Sequence, residues 1–161
     1  MPAAKGAKTA AKPGKAGFVT DRIAIASDHG GFALKEYIKE HLKDLDIVDL
    51  GPDSKDISVD YPDYAARMTA RMKDDPDTIG ILVCRTGEGM AMAANRDRSI
   101  RAALVFDRKA AIKSREHEDA NIIVLAAEHF SMRQNLAWLR AFLTTPFAPD
   151  PRHLRRLAKI S

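Results

Sequence analysis

Short apolar runs alternate along this chain with stretches whose apolar residues repeat every three or four positions. Runs such as Ile23–Ala26 and Ile79–Val83 suit buried strands, and each is followed by a stretch with helical periodicity. In the first of these stretches Leu34, Ile38 and Leu42 fall on one face of a helix. The alternation occurs five times, which predicts a parallel sheet covered by helices on both faces.

The same criteria place the remaining elements. Further strands are predicted at Ile47–Leu50, Ile100–Phe106 and Ile122–Ala126. Helices are predicted from Pro62 to Met72, over Gly89–Asn95 and Lys109–Arg115, and along the repeat of Met132, Leu136, Leu139 and Leu143. Three prolines, at 146, 149 and 151, then interrupt the chain before a last basic helix at Arg152–Lys159. The sequence therefore predicts an α/β domain with a five-stranded parallel sheet and a C-terminal arm and helix.

One α/β domain accounts for most of the 161 residues. We expect a disordered Lys/Ala-rich tail at 1–20, the domain itself at 21–145, and an arm with a basic helix at 146–161 that docks on a partner subunit. No apolar run reaches the roughly 20 residues of a membrane-spanning helix, so no membrane partner is expected. The single cysteine excludes an intrachain disulfide and favours the cytoplasm.

The net charge of +4 belongs to the N-terminal tail. Residues 1–20 hold four lysines and no acidic residue, so the rest of the chain is neutral overall. The basic residues therefore give no argument for a core that binds nucleic acid. The tail also lacks the apolar segment of a signal peptide.

Candidate chemistry centres on Cys84, which ends the third predicted strand. The loop that follows, Thr86-Gly87-Glu88-Gly89, leads into a helix, and its backbone N–H groups suit a developing oxyanion. Amide dipoles of this kind also predict a lowered pKa for the thiol, which would then act as a base near neutral pH. The alternative is a small buried side chain, the usual role of a free cysteine.

A second polar cluster, Asp28-His29-Gly30-Gly31, follows the first predicted strand and precedes a helix. Polar groups in this position form an anion site, in which His29 suits a phosphate and Asp28 suits a hydroxyl. The alternative is a capping aspartate beside a surface histidine in a tight turn.

Two further clusters come late in the chain. His117 stands among acidic residues near a helix end, where it suits either acid–base chemistry or the negative end of the helix dipole. Arg152 and Arg156 are four residues apart, a spacing that suits a phosphate, although a solvated helix end is the alternative. The histidines and the cysteine share no metal-ligand spacing, so no metal site is predicted.

Taken in order, these motifs resemble the ribose-5-phosphate isomerase B family, which includes galactose-6-phosphate and allose-6-phosphate isomerases. The resemblance covers about residues 21–160 and rests on Asp28-His29-Gly30-Gly31-Phe32-x-Leu34-Lys35, Asp60-Tyr61-Pro62-x-Tyr64-Ala65, Cys84-x-Thr86-Gly87-x-Gly89 with Asn95, Arg115-x-His117 with Asn121, and Arg152-His153-x-x-Arg156. It implies a Rossmann-like α/β/α domain. It also implies a homodimer, or a tetramer formed by two such dimers, with active sites shared between subunits. The implied reaction interconverts an aldose phosphate and its ketose without metal or cofactor.

The resemblance also implies a role for each candidate residue. Cys84 looks like the base that moves the proton between C2 and C1, and Thr86 like the hydroxyl that helps to move protons on the substrate oxygens. The backbone amides of Gly87–Gly89 look like the anion hole for the enediolate. Asp28 and His117 resemble residues that assist ring opening. Phosphate ligands and a pocket wall are implied for His29, Arg152, Arg156 and Tyr61.

Three positions depart from the family pattern. Arg85 stands where glycine is usual, Glu118 where asparagine follows the histidine, and Glu128 where many members have an arginine. Arg85 would narrow the pocket or add a cation, and Glu128 removes a positive charge that would face the phosphate. The main prediction is isomerisation of ribose 5-phosphate to ribulose 5-phosphate. The alternatives are the same reaction on a four- or six-carbon aldose phosphate, and a sugar-phosphate-binding module without turnover.

Overall fold

A parallel sheet forms the middle layer of the computed structural model, which describes residues 17–160. Its strands are β1 (Ile23–Ser27), β2 (Ile47–Asp49), β3 (Ile79–Cys84), β4 (Ala102–Leu104) and β5 (Ile122–Ala126). They lie in the order β2-β1-β3-β5-β4, and every neighbouring pair is parallel. The predicted five-stranded parallel sheet is confirmed.

Helices cover both faces of this sheet. They are α1 (Phe32–His41), α2 (Tyr61–Asp74), α3 (Glu88–Ala94), α4 (Arg108–Glu118), α5 (Met132–Thr144) and α6 (Pro151–Leu157). One apolar core lies between the sheet and α1, α4 and α5, and a second lies between the sheet and α2 and α3. This is the predicted three-layer α/β/α arrangement. Across residues 17–160, no helix combines the length and the apolar character needed to cross a membrane.

Strand β1 places side chains of different size on the two faces of the sheet. In β1 the large side chains of Ile23 and Ile25 enter the first core, whereas Ala24 and Ala26 enter the second. Gly80 in β3 leaves room for α2, because a Cβ at this position would lie 2.9 Å from Met68 Sδ. Burial on both faces explains why these strands read as continuous apolar runs rather than as alternating patterns.

The edge strand β4 is shorter than the predicted span of Ile100–Phe106. It pairs only with β5, and the chain entering it is held by side chains instead of a second strand. Asn95 accepts the backbone N–H of Ala102 at 2.8 Å and donates to its carbonyl at 2.9 Å. Asn121 accepts the N–H of Arg101 at 2.7 Å. The apolar run therefore continues past both ends of the strand itself.

The N-terminal boundary of the packed domain lies earlier than residue 21. Phe18 is 5% exposed and belongs to the core formed with α1 and α5, and the N–H of Val19 donates to the carbonyl of Leu143 at 2.8 Å. Residues 17–20, predicted as part of a disordered tail, therefore pack on the domain, because one aromatic ring supplies the apolar surface that the rest of the tail lacks. The remainder of the predicted tail, residues 1–16, lies outside the described residues.

The C-terminal helix α6 packs against α4 of its own chain. His153 is the buried residue of α6, with 4% exposure, and the N–H of Ala148 in the preceding arm donates to the carbonyl of Glu116 at 3.1 Å. Residues 146–160 of the predicted arm and helix thus have a docking surface within one chain, and their docking on a partner subunit stays a prediction.

Candidate active site

The carboxyl ends of β1 and β3 meet where the strand order reverses direction, the usual position of a ligand crevice in an open α/β sheet. Asp28 and His29 follow β1, Cys84 ends β3, and the loop Thr86–Gly89 leads from it into α3. Most of the residues predicted from the sequence therefore lie at one edge of the sheet. We call this group, together with Tyr61, the thiol cluster.

Cys84 points toward α2 and α3 and is 5% exposed. Its Sγ accepts the backbone N–H of Gly87 at 3.0 Å. Gly87 has a φ of 84°, a left-handed conformation that favours glycine, and a Cβ there would overlap the side chain of Leu104. The glycine is thus required for the turn that directs a backbone donor at the sulfur.

Burial raises the pKa of the Cys84 thiol, and the nearby carboxylate of Asp28 raises it further. The N–H groups of Gly87, Met90 and Thr86 act in the opposite direction, but they do not outweigh burial. The sequence-based prediction of a lowered pKa is therefore wrong for the single chain. The amide dipoles of the loop therefore do not lower the pKa of this thiol below its ordinary value.

Removing the charge of Asp28 should lower the pKa of the Cys84 thiol. We expect Asp28→Asn to move the midpoint of the pH profile for alkylation by iodoacetamide to lower pH than in the wild type. The label reports one site, because the chain has a single cysteine. Asp97→Asn, near the opposite edge of the sheet, is the control and should not move the midpoint. An unchanged midpoint in Asp28→Asn would show that the carboxylate does not act on the sulfur.

Asp28 is held in a tight turn above β3. Its Oδ1 accepts the N–H of Gly31 at 2.8 Å, and its own N–H donates to the carbonyl of Val83 at 3.2 Å. A Cβ at Gly31 would lie 2.5 Å from the Val83 carbonyl oxygen, so the turn needs glycine here. The carboxylate is 7% exposed. Asp28 therefore holds the tight turn rather than capping α1, whose N-cap is Gly31 without a side-chain cap. The turn places the Asp28 carboxylate close enough to Cys84 to raise the pKa of its thiol.

His29 and Tyr61 flank this turn. The Nδ1 atom of His29 lies 3.2 Å from the backbone nitrogen of Val59 and 3.3 Å from its carbonyl oxygen, so the ring is oriented by the loop before α2. Tyr61 begins α2, and its ring lies over Gly89, where a Cβ would be 2.6 Å from the ring carbon Cζ. Tyr61 is 40% exposed and forms a side wall against the loop that follows Cys84.

Three predicted site residues lie away from the thiol cluster in the folded chain. The helix α4 runs back from the end of β4 to the start of β5, so its last turn, with His117, lies at the amino edge of the sheet. His117 stacks on His153 of α6, with ring centroids 4.5 Å apart. Arg152 and Arg156 are exposed on the same short helix. We call His117, Arg152 and Arg156 the cationic cluster. Within one chain, the cationic cluster does not lie next to the thiol cluster.

Arg85 and Glu128 form an ion pair at the carboxyl edge of the sheet. The sequence shows each residue as a separate departure from the family pattern and does not predict their contact. Cys84 and Ala126 are paired across β3 and β5, and the ladder continues as Ala127 N–H donates to the Cys84 carbonyl. The Nη1 atom of Arg85 then lies 2.5 Å from Oε1 of Glu128. Opposite charges just past the ends of two strands, one residue after Cys84 and two residues after Ala126, are the signal that would have linked them. Glu118, the third departure, is an exposed residue at the end of α4.

Two asparagines of the sequence motifs bind backbone groups rather than line the site. Asn95 forms two hydrogen bonds with the backbone of Ala102, as described above, and Asn121 also donates to the carbonyl of Ser99 at 2.8 Å. Both fix the chain entering β4. Among residues 17–160, no group of three or more His, Cys, Asp or Glu side chains is arranged to hold a metal ion.

Comparison with known proteins identifies close relatives. The profile of the Ribose/Galactose Isomerase family matches residues 23–160. A ribose-5-phosphate isomerase B of Mycolicibacterium paratuberculosis is 36% identical over 138 residues, which are 84% of this chain and 87% of the relative. Among solved structures, ribose 5-phosphate isomerase from Thermotoga maritima is 44% identical, covers 86% of this chain and 96% of its own, and has a TM-score of 0.82. Ribose-5-phosphate isomerase B from Mycoplasma genitalium with bound ribulose-5-phosphate is 42% identical, covers 86% and 93%, and has a TM-score of 0.81.

Proposed function

This chain belongs to the ribose/galactose isomerase family, and we propose that it interconverts ribose 5-phosphate and ribulose 5-phosphate. The observation that carries the proposal is Cys84 at the crevice between β1 and β3, with backbone N–H groups of the following loop directed at its sulfur. The reaction moves hydrogen within one molecule, so it conserves oxidation state and requires no external acceptor. A free thiol that acts as a base also suits a reducing cytoplasm.

In the proposed mechanism the Cys84 thiolate removes the proton from C2 of the open-chain aldose and returns it to C1. The electron pair left by the C2–H bond forms the enediolate, whose charge is stabilised by the backbone N–H groups of Gly87–Gly89. Thr86 helps to move the proton from the oxygen on C2 to the oxygen on C1. Asp28 assists ring opening before this step. All of these groups belong to the thiol cluster.

The thiol cluster lacks two parts of this mechanism, and a second copy of the chain would supply them. His117 is the proposed partner of Asp28 in ring opening, and Arg152 and Arg156 are proposed to bind the phosphate with His29. Because one chain holds these cations at the opposite edge of the sheet, we propose a homodimer in which each site combines one thiol cluster with the partner's cationic cluster. The added positive charge would also favour the Cys84 thiolate over the thiol.

Turnover of aldose phosphates tests the proposed function. The purified protein should isomerise ribose 5-phosphate with a kcat/KM higher than for four- or six-carbon aldose phosphates, in the presence of a chelator. Preferred turnover of another chain length would overturn the substrate, and binding of ribose 5-phosphate without any turnover would favour a binding module. The departures at Arg85, Glu118 and Glu128 are the reasons to include the other chain lengths in the panel.

Mixing two impaired variants, assayed at a ribose 5-phosphate concentration well below the wild-type KM, tests the shared site. Cys84→Ala lacks the thiol cluster's base, and Arg156→Ala lacks a phosphate ligand of the cationic cluster. After denaturation and joint refolding, random pairing gives about half heterodimers, each with one intact site, so activity should recover to about a quarter of the wild-type value. Each variant refolded alone is the control. No recovery on mixing would contradict a site shared between subunits, even if the wild type is an active isomerase.

A further inference from the structure

We propose that Arg85 binds the phosphate of the substrate, and that Glu128 holds its guanidinium at the crevice and competes with the phosphate for it. The inference rests on the proposed function and assigns to Arg85 a specificity-determining role in the same site. It would give a function to the two residues that depart most from the family pattern at the carboxyl edge.

The backbone fixes both side chains at the rim of the crevice. Arg85 follows Cys84 directly, and the N–H of Glu128 donates to the carbonyl of Arg85 at 3.0 Å. The stem of Arg85 then crosses Gly30, where a Cβ would overlap the Arg85 Cγ atom. Gly30 is the residue after His29, so the guanidinium lies on the turn that carries a proposed phosphate ligand. The backbone position of Arg85 and the contact of its stem with Gly30 therefore place the guanidinium at the crevice.

The ion pair leaves the guanidinium available to a ligand. The Arg85 side chain is 56% exposed and that of Glu128 is 50% exposed, and exposed pairs of this kind contribute little to stability. A phosphate dianion offers a guanidinium two parallel, charge-assisted hydrogen bonds, which are stronger than one contact with a solvated carboxylate. A bound phosphate would therefore accept hydrogen bonds from guanidinium N–H groups other than the Nη1 that contacts Glu128, and it would compete with Glu128 for the positive charge.

The pair also accounts for the missing charge at position 128. Many members of the family that the sequence resembles have an arginine at this position, where this chain has a carboxylate. The guanidinium of Arg85 reaches that carboxylate from the neighbouring strand. A cation is thus present at this part of the edge, but it is supplied by β3 and is partly neutralised by Glu128.

The test compares Arg85→Met and Glu128→Gln with the wild type, measuring KM and kcat for ribose 5-phosphate and the inhibition constant of inorganic phosphate. Arg85→Met keeps an unbranched apolar stem but removes the guanidinium, and it should raise both KM and the inhibition constant about ten- to a hundredfold, with little change in kcat. Glu128→Gln keeps the acceptor for Arg85 but removes the repulsive charge, so both constants should fall about two- to fivefold.

Arg22→Met is the matched control. Arg22 is 57% exposed and paired with Asp75, but it precedes β1 at the opposite edge of the sheet, so its variant should leave both constants unchanged. An inhibition constant for phosphate that is unchanged in Arg85→Met, or raised in Glu128→Gln, would overturn the inference. If the wild type fails to turn over ribose 5-phosphate, calorimetric binding of inorganic phosphate to the same variants still tests Arg85, and the two failures remain distinguishable.

Discussion

Replacing Cys84 with alanine should reduce kcat for ribose 5-phosphate isomerisation by about 10²–10⁴-fold, the usual contribution of a positioned general base. The proton on C2 would have no acceptor, whereas the N–H groups of Gly87–Gly89 would remain in place to bind the substrate oxygens. Substrate binding, measured by calorimetry, should therefore change much less than turnover. The exchange of substrate hydrogen with deuterium from solvent, followed by NMR, should be lost with it.

Cys84→Ser is the matched variant for this prediction. Serine is similar in size and replaces the thiol with a hydroxyl, whose pKa is far above that of a thiol, so this variant should be nearly as inactive as alanine. Cys84 is a small buried side chain, and its loss to alanine should reduce the free energy of unfolding by only about 1 kcal/mol. Turnover at the wild-type rate in either variant would refute Cys84 as the base, whatever the overall reaction is.

Replacing Lys35 with methionine should reduce the free energy of unfolding by about 3 kcal/mol, measured by urea denaturation. Lys35 in α1 is 1% exposed, and its Nζ donates to both oxygens of Asp49, at 2.9 and 2.7 Å, and to the Pro52 carbonyl at 2.9 Å. Methionine would leave these acceptors without their buried cation. Since the 49–52 segment also holds β1 through Gly51, whose carbonyl accepts the N–H of Ser27, the loss would extend to the turn carrying Asp28.

The pH dependence gives this prediction a second test. Burial opposes ionisation of Asp49, but hydrogen bonds from Lys35 and Lys39 outweigh it and lower the pKa of the carboxylate. Its contribution to stability is therefore present at neutral pH and is lost as the pH falls through the lowered pKa. The difference between wild type and Lys35→Met should accordingly shrink in acid. Lys39→Met, which removes a partly exposed partner, is the control and should cost less than about 1 kcal/mol.

The sequence predicted the sheet and most of the thiol cluster because both depend on local patterns. Apolar runs defined the strands, and parallel strands bring residues such as Asp28 and Cys84 to one edge whatever the strand order is. The separation of His117 from that edge follows from its place in a helix that returns to the next strand. The order of the elements is enough to deduce that His117 lies away from the carboxyl edge. The predicted sharing of active sites between subunits is consistent with that separation.

Other features depended on register and burial, which a single sequence does not reveal. The contact between Arg85 and Glu128 joins residues 43 positions apart and requires the pairing of Cys84 with Ala126. The raised pKa of the Cys84 thiol depends on how far burial exceeds the effect of the surrounding amides. The burial of Phe18 is not predictable from the sequence, because one aromatic residue among small and polar neighbours gives no periodic signal.

The anchoring of Phe18 decides where the protein can be trimmed for crystallisation or calorimetry. A version that starts at Gly17 keeps the aromatic ring and the bond from Val19 to Leu143, whereas one that starts at Asp21 loses both. Trimming at Gly17 also removes Lys5, Lys8, Lys12 and Lys15, which together account for the net charge of +4. The shortened protein would be isoelectric near neutral pH, would pass through a cation-exchange column, and would be handled best in buffers away from pH 7.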